Sequence, residues 1–340
     1  VCGKIALEYF IKRTVMLGVD LGAYSVKFCL TRKKGENFEP VFLGEMLFAP
    51  QSLSEGEIRD KSILVDNLRR FWQRNRLPRE VVASFYHPRM VVQNISLPEM
   101  PDEEIENTLR WEASSIITGE DSFQIGWQTL EKKEGQQKIL FAASPSLIVE
   151  EYLDVFSQAR LEVKALEPQV LSLLRGFLSL YPDLMGSSFS VVDLGFAKGG
   201  ILYFSTGKLV FSRYFNWGLG KAWDYLERKF KLLPAEIMEL FNRSTEEGDV
   251  PYQMEEALSE VSKDLITELR RSFSFLQSEF GSDPDQRIFW SGGGARISFL
   301  RWILDENLPV SVGNIPPLVV KKEEFPAEVY LGALGASLWS

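Results

Sequence analysis

Asp20, Gly22, Ser25 and Lys27 fall around one bend of the segment VMLGVDLGAYSVK, residues 15–27. An apolar run leads into the acid, and a second, Val26 to Leu30, follows the bend at once. Each residue type suits one part of a bound phosphate. A carboxylate at a strand end can hold Mg²⁺ through water, since Mg²⁺ usually keeps several of its waters. Glycine lets a ligand approach the backbone closely. The hydroxyl and the ammonium suit phosphate oxygens. One such bend is weak evidence, because Asp and Gly are ordinary turn residues. The chain, however, repeats it. FSVVDLGFAKGGILYFSTGKLVFSRYF carries Asp193 and Gly195, with Asp193 standing 173 residues after Asp20. Two such hairpins facing one another would grip a triphosphate from both sides. A third stretch, IFWSGGGARISFLRWIL, reads as a strand, a loop Ser291-Gly292-Gly293-Gly294-Ala295 and a helix. A glycine loop entering a helix aims backbone N–H groups and the positive helix end at anionic or polar atoms.

The elements that must carry these bends follow from periodicity. Residues 15–21 and 25–31 read as strands, and Val41 to Phe48 as a third. Leu64, Leu68, Phe71 and Trp72 make the apolar stripe of a helix that Ser62 is placed to cap and Leu77-Pro78 to end. Between about Val81 and Leu161 the pattern changes to a compact α+β unit. VVASFY, VVQNISL, FQIGWQTLE and KILFAAS read as strands, and helices open at Asp102 and after Ser144-Pro145. Acids in the first turn at Asp102 favour the helix macrodipole. The unit reads as an insertion, because the strand-rich theme resumes after it. A strand to Glu167 precedes Pro168 in a helical first turn. Met254, Leu258, Val261, Leu265, Leu269, Phe273, Leu276 and Phe280 mark a long helix over 251–280. Residues 1–14 lack clean periodicity and read as a mobile lead, or as an extension upstream of Met16.

Composition sets the class. The chain has 340 residues, 45% hydrophobic and 25% charged, as expected of a large soluble globular protein with two lobes. With 47 acidic against 38 basic residues and a net charge of −9, a general nucleic-acid binder or a free polybasic membrane anchor is disfavoured. No apolar run reaches the ~20 residues of a membrane-spanning helix. The two cysteines, Cys2 and Cys29, do not make a disulfide framework, and a reducing, cytoplasmic setting is expected. His87, the only histidine, lies in a turn-like stretch and reads as structural.

Taken in order, these segments resemble the superfamily of actin, sugar-kinase and heat-shock-chaperone ATPases, and within it the PilM family of type IV pilus assembly proteins. The FtsA cell-division family shares that architecture. GVDLGAYSVK resembles the first phosphate motif and VVDLGFAKGGILYFSTGKLVFSRYF the second. ALEPQVLSLLRG resembles the connecting segment, SLPEMPDEEIENTLRWEASSII the inserted domain, and FWSGGGARISFL the adenosine motif. The closing helix is matched by VYLGALGASLW. The resemblance implies an α/β fold of two actin-like lobes, a duplicated ribonuclease H-like unit with an inserted α+β subdomain. It places residues 1–13 as a mobile lead and 14–80 with 162–187 and 326–340 as the inner subdomain of lobe one. It makes 81–161 the inserted subdomain, 188–220 with 281–325 the inner subdomain of lobe two, and 221–280 the outer helical part of that lobe.

The same resemblance implies ATP and Mg²⁺ as cofactors. Asp20 and Asp193 would hold the metal, while Gly22, Ala23, Tyr24, Ser25, Lys27, Gly195, Lys198, Gly218, Glu236, Gly292, Gly293 and Gly294 would line the nucleotide. Glu167 aligns with the acid that positions attacking water in some relatives, and equally reads as a cap for the following helix. Three departures make this site partly degenerate. Lys198 stands where a hydroxyl residue is usual, Ala23 and bulky Tyr24 stand where small hydroxyl residues are common, and Glu239 stands where a lysine follows Glu236. At most a weak ATPase is implied. The implied role is a cytoplasmic scaffold at the inner-membrane face, peripheral to the membrane through its partner. That partner is the N-terminal tail of a bitopic, PilN-like protein, received by the inserted subdomain; self-association is compatible with this role. The alternatives are an FtsA-like, nucleotide-dependent filament former and a type II secretion platform component.

Overall fold

The computed structural model describes residues 16–34, 37–47, 52–54, 56–120, 122–245, 250–281 and 287–339. The expected lead, 1–13, lies outside them. The chain divides into two units: residues 1–182, 318–325 and 330–340 form unit one, and 183–317 with 326–329 form unit two.

In unit one the hairpin of β1 (Leu17–Leu21) and β2 (Ser25–Lys34) continues into β3 (Asn37–Leu47), an antiparallel meander. The third strand starts earlier than the expected Val41 because Asn37 to Pro40 pair with the charged end of β2 beyond a bulge at Leu30/Thr31. A small hairpin, β4 (Leu53–Ser54) and β5 (Glu57–Ile58), leads to α1 (Lys61–Asn75). Asp60, rather than Ser62, caps α1: its carboxylate accepts from the Ile63 amide at 3.0 Å, and the Ser62 hydroxyl donates to it. An Asp cap of this kind stabilises by about 1 kcal/mol. The apolar stripe of α1 packs on Leu17, Val19, Val26 and Phe28.

The chain continues through β6 (Glu80–Phe85), β7 (Val91–Pro98), α2 (Asp102–Ile116), β8 (Phe123–Lys133), β9 (Gln136–Pro145), α3 (Ser146–Gln158), β10 (Glu162–Pro168) and α4 (Gln169–Leu180). The main sheet has the order β10-β6-β1-β2-β3, with β6 parallel to both its neighbours. Residues 81–85 are therefore central to the parent sheet, where Val81, Ala83 and Phe85 are fully buried. Residues 146–161 also differ from expectation, because Ile148, Tyr152, Val155 and Leu161 join the parent core. What stands apart is the three-stranded sheet β7-β9-β8 with α2, spanning 91–145 and enclosing its own core of Ile105, Leu109, Ile125, Ile139 and Phe141.

Unit two holds β11 (Ser188–Leu194), β12 (Gly199–Ser205), β13 (Lys208–Phe215), α5 (Gly220–Phe230), α6 (Pro234–Ser244), α7 (Tyr252–Phe280), β14 (Arg287–Ser291), α8 (Ser298–Asn307) and β15 (Ser311–Val312). Its sheet order is β13-β12-β11-β14-β15. Both sheets are thus a three-stranded meander whose first strand pairs in parallel with a later strand, which supports a further parallel one. The duplication seen in the hairpins extends to the whole topology. The α7 stripe is buried from Met254 to Leu276, with Met254, Leu258, Leu265 and Leu269 fully buried, while Phe273 is half-buried and the terminal Phe280 is exposed.

The hairpin of β16 (Leu318–Val320) and β17 (Glu323–Phe325), expected with the second lobe, belongs to unit one, where β16 packs on the edge strand β3. The closing helix α9 (Ala327–Ser337) is apolar on all sides and correspondingly buried. Within unit one it lies against α4 so closely that a Cβ on Gly335 would stand 1.7 Å from the Ser172 carbonyl oxygen. No helix among the described residues is long and apolar enough to cross a membrane.

Candidate functional site

The first bend is closed by the Gly22 amide donating to the Ser25 carbonyl at 3.1 Å. Asp20 pairs in register with Lys27 across the hairpin and with Ser84 across the parallel β1–β6 ladder. That register brings the Ser84 hydroxyl to Asp20 Oδ1 at 2.9 Å. The Gln169 amide, first residue of α4, donates to the same oxygen at 3.2 Å. A Cβ on Gly332 would lie 2.7 Å from the Asp20 carboxyl carbon, so the backbone of α9 rests directly on the acid. Asp20 is thereby 5% exposed and fixed on three sides. Lys27 reaches back over the bend, its Nζ 3.2 Å from where a Gly22 Cβ would sit. Ser25 does not offer its hydroxyl to the bend: it is buried and donates to Glu45 Oε1 at 2.6 Å. Ala23 and Tyr24 sit half-buried in the turn. Burial, and then the Glu45 charge, raise the Tyr24 phenol above its ordinary pKa.

The second bend has the same construction. The Gly195 amide donates to the Lys198 carbonyl at 3.0 Å, and Asp193 pairs with Gly200 across the hairpin and with Ser291 across β14. Lys198 thus occupies the place that Ser25 holds in the first bend. Its ammonium lies 3.6 Å from the centre of the Tyr214 ring, a cation–π contact. The glycine loop packs on the acid: a Cβ on Gly292 would come within 2.6 Å of Asp193 Oδ1, and its φ of 86° is one that favours glycine. Gly292 donates to the Glu328 carbonyl at 2.9 Å, Gly294 packs on Leu194, and Gly293 faces open space. Gly218 serves close packing as well, since a Cβ there would lie 2.2 Å from the Phe196 carbonyl oxygen. The flanking Leu219 and Gly220 amides donate to the Gly195 and Phe196 carbonyls, tying the start of α5 to the bend.

Two expected site residues have other partners. Glu236 is exposed and accepts from the Leu233 amide at 2.7 Å, closing the first turn of α6; Glu239 is exposed on the same helix. Glu167 is fully buried at the end of β10. Its Oε1 accepts from the Ser172 hydroxyl at 2.5 Å and from the Arg175 guanidinium, while Arg175 Nε donates to the Gly335 carbonyl at 2.7 Å. The structure therefore places Glu167 in a core ion pair joining β10, α4 and α9, not at the α4 cap and not at an open surface. His87, also read as structural, is buried, and burial followed by the Arg89 charge lowers its pKa to about 4.

Several functional partners escaped sequence reasoning: Ser84 and Gln169 on Asp20, Glu45 on Ser25, and Tyr214 under Lys198. One signal was available. A serine ends or nearly ends each parallel neighbour strand, Ser84 in VVASF and Ser291 in RIFWS, opposite the two acids. Among the described residues no three His, Cys, Asp or Glu side chains gather as a metal site.

A further surface belongs to the inserted sheet. Odd-numbered residues of its strands face α2, as Ile125, Ile139 and Phe141 show. Alternation puts Asn94, Leu140 and Gln128 in one row of the opposite face, with Ala142 and Ser144 following along β9. Leu140, Ala142 and Ser144 are fully buried, and Ser144 Oγ and Gln128 Oε1 meet no hydrogen-bonding partner among the described residues.

Comparison with known proteins agrees with this architecture. By sequence, none of the curated proteins matches the chain. Among solved structures, the PilM-PilN type IV pilus biogenesis complex superposes with a TM-score of 0.82 at 21% identity, covering 96% of this chain and 98% of that one. The ethanolamine utilization protein EutJ from Carboxydothermus hydrogenoformans gives 0.52 at 14% identity, over 97% and 91% of the two chains. A Bacteroides thetaiotaomicron protein with an actin-like ATPase fold and unknown function gives 0.50 at 14% identity, over 94% and 95%. The family model of the type IV pilus assembly protein PilM matches residues 18–322. The chain belongs to the PilM family of type IV pilus assembly proteins and has the actin-like ATPase fold.

Proposed function

We propose that this chain is a scaffold of type IV pilus biogenesis that receives the extended N-terminal tail of a bitopic, PilN-like inner-membrane protein, and so sits at the cytoplasmic face of that membrane. Family membership and the PilM-PilN complex as structural neighbour support the role and the partner. The observation that carries the site is the sheet face of the inserted segment turned away from α2. Its buried Ser144 Oγ and Gln128 Oε1 find no partner within the described residues. Buried polar groups are satisfied in nearly all native structures, and an unsatisfied one costs about 1–3 kcal/mol. The main chain of an extended tail supplies both donors and acceptors, which these two buried atoms lack.

A fluorescence titration with synthetic tails of the candidate partner tests this. Ser144→Val and Gln128→Leu together should weaken binding about tenfold, the equivalent of one lost hydrogen bond to a buried group. Undiminished affinity in the folded double variant would place the site elsewhere.

Each bend reads as a degenerate phosphate-binding motif. In each bend the acid, Asp20 in one unit and Asp193 in the other, would offer a carboxylate to a hydrated Mg²⁺ that ATP brings as its counter-charge. The phosphate-directed groups fit less well, because the Ser25 hydroxyl serves Glu45 and the Lys198 ammonium lies on Tyr214. In this reading nucleotide binding is weak, hydrolysis is slow at most, and no step is assigned to Glu167.

A further inference from the structure

Ser298, Arg301, Trp302 and Asp305 recur at helical spacing on α8, on a different stripe from the one that buries Leu300, Ile303 and Leu304. With Ile315 and Glu328 they border a cavity of about 390 Å³ lying wholly within unit two. That volume falls in the range of small-molecule pockets, ~300–1,000 Å³. The PilM role makes no use of it.

Its walls are fixed. Trp290 is buried and donates from Nε1 to Asp305 Oδ1 at 3.3 Å, which orients that carboxylate. Trp302 stacks on Phe299 with centroids 5.5 Å apart, yet remains 57% exposed, leaving its second face to the cavity. The main chain of Glu328 accepts from the Gly292 amide and from the Ser291 hydroxyl, so this wall is anchored to the glycine loop.

The charges around the cavity are opposite in sign and stand apart. Arg301 and Asp305 have the i,i+4 spacing at which helical ion pairs form, but among the described residues Asp305 accepts from Trp290 and forms no ion pair with Arg301. Arg301 and Glu328 border the same space, and among the described residues neither forms an ion pair. A lone cation entering here meets the Arg301 guanidinium, and a lone anion meets two carboxylates. A wholly apolar molecule would strip water from all three charges without replacing it. A molecule bearing both signs answers each of them, and an apolar body can lie on the free face of Trp302.

We propose that this cavity binds a small zwitterion of the apolar α-amino acid class, its carboxylate on Arg301, its ammonium between Asp305 and Glu328, and its side chain against Trp302. The test is calorimetric titration of the full chain with L-phenylalanine, phenethylamine and 3-phenylpropionate. L-Phenylalanine should bind with a dissociation constant on the order of 1 mM, and each analogue, lacking one charge, about tenfold more weakly. Arg301→Met should abolish the preference over phenethylamine, and Glu328→Gln the preference over 3-phenylpropionate. Arg301 is exposed and Glu328 half-buried, and circular dichroism would verify that each variant is folded. Absence of saturable L-phenylalanine binding up to ~20 mM would overturn the assignment. So would analogues that bind equally well, or preferences that survive both substitutions.

Discussion

Replacing Arg175 by methionine would remove a buried counter-charge from the Glu167 carboxylate in the core of unit one. Glu167 is 0% exposed and the Arg175 side chain 3%, so water cannot take over the lost contact. The substitution removes the guanidinium bond to Glu167 Oε1 and the bond from Nε to the Gly335 carbonyl, while the Ser172 hydroxyl stays on the acid. Breaking one side of a buried pair costs about 3–5 kcal/mol, a large part of a domain's ~5–15 kcal/mol. Urea unfolding followed by circular dichroism at pH 7, on wild type, Arg175→Met, Glu167→Gln and the double variant, measures it. Arg175→Met should lose about 3–5 kcal/mol, and adding Glu167→Gln should restore about 1–3 of these, because a neutral amide no longer buries a bare charge and can still meet Ser172. If Arg175→Met stayed within about 1 kcal/mol of wild type, or the double variant were no more stable than the single one, the carboxylate would not be the buried charge described.

His87 makes stability depend on pH. Its pKa in the fold, lowered to about 4 by burial and the Arg89 charge, lies below the ~6.5 of an unfolded chain. The unfolded state therefore binds the extra proton first on acidification. The contribution is whole above about pH 6.5 and is lost as pH falls towards 4, with about 2 kcal/mol gone between pH 7 and 5. His87→Asn keeps an acceptor for the Arg89 amide, and its unfolding midpoints should part from those of wild type over that window; a pH-independent difference would refute the linkage. For the bends, calorimetry should find weak ATP binding that needs Mg²⁺ and declines in Asp20→Ala. Equal binding with and without Mg²⁺ would remove the metal role of Asp20, and no binding to wild type would remove the nucleotide reading.

Local patterning carried the hairpins, the long α7 and the order of motifs. An apolar run stopped by Asp-x-Gly favours a strand and bend, and spacing by threes and fours makes one helix face. Because those patterns recur in the same order, family and fold followed from them as well. Partners were another matter. Arg175 meets a carbonyl 160 residues further along the chain, and Gln169 reaches an acid 149 residues before it. Lys198 finds a ring on a strand two places away in the sheet from the acid it was expected to accompany. Nor does the strand pattern of β6 alone say which sheet it joins; parallel pairing with β1 assigns it to the parent sheet. Alternation and spacing act within a few residues and are written along the chain. Register, ion pairing and the seating of α9 on Asp20 depend on which distant backbones can approach, and that is settled only when all the elements pack at once.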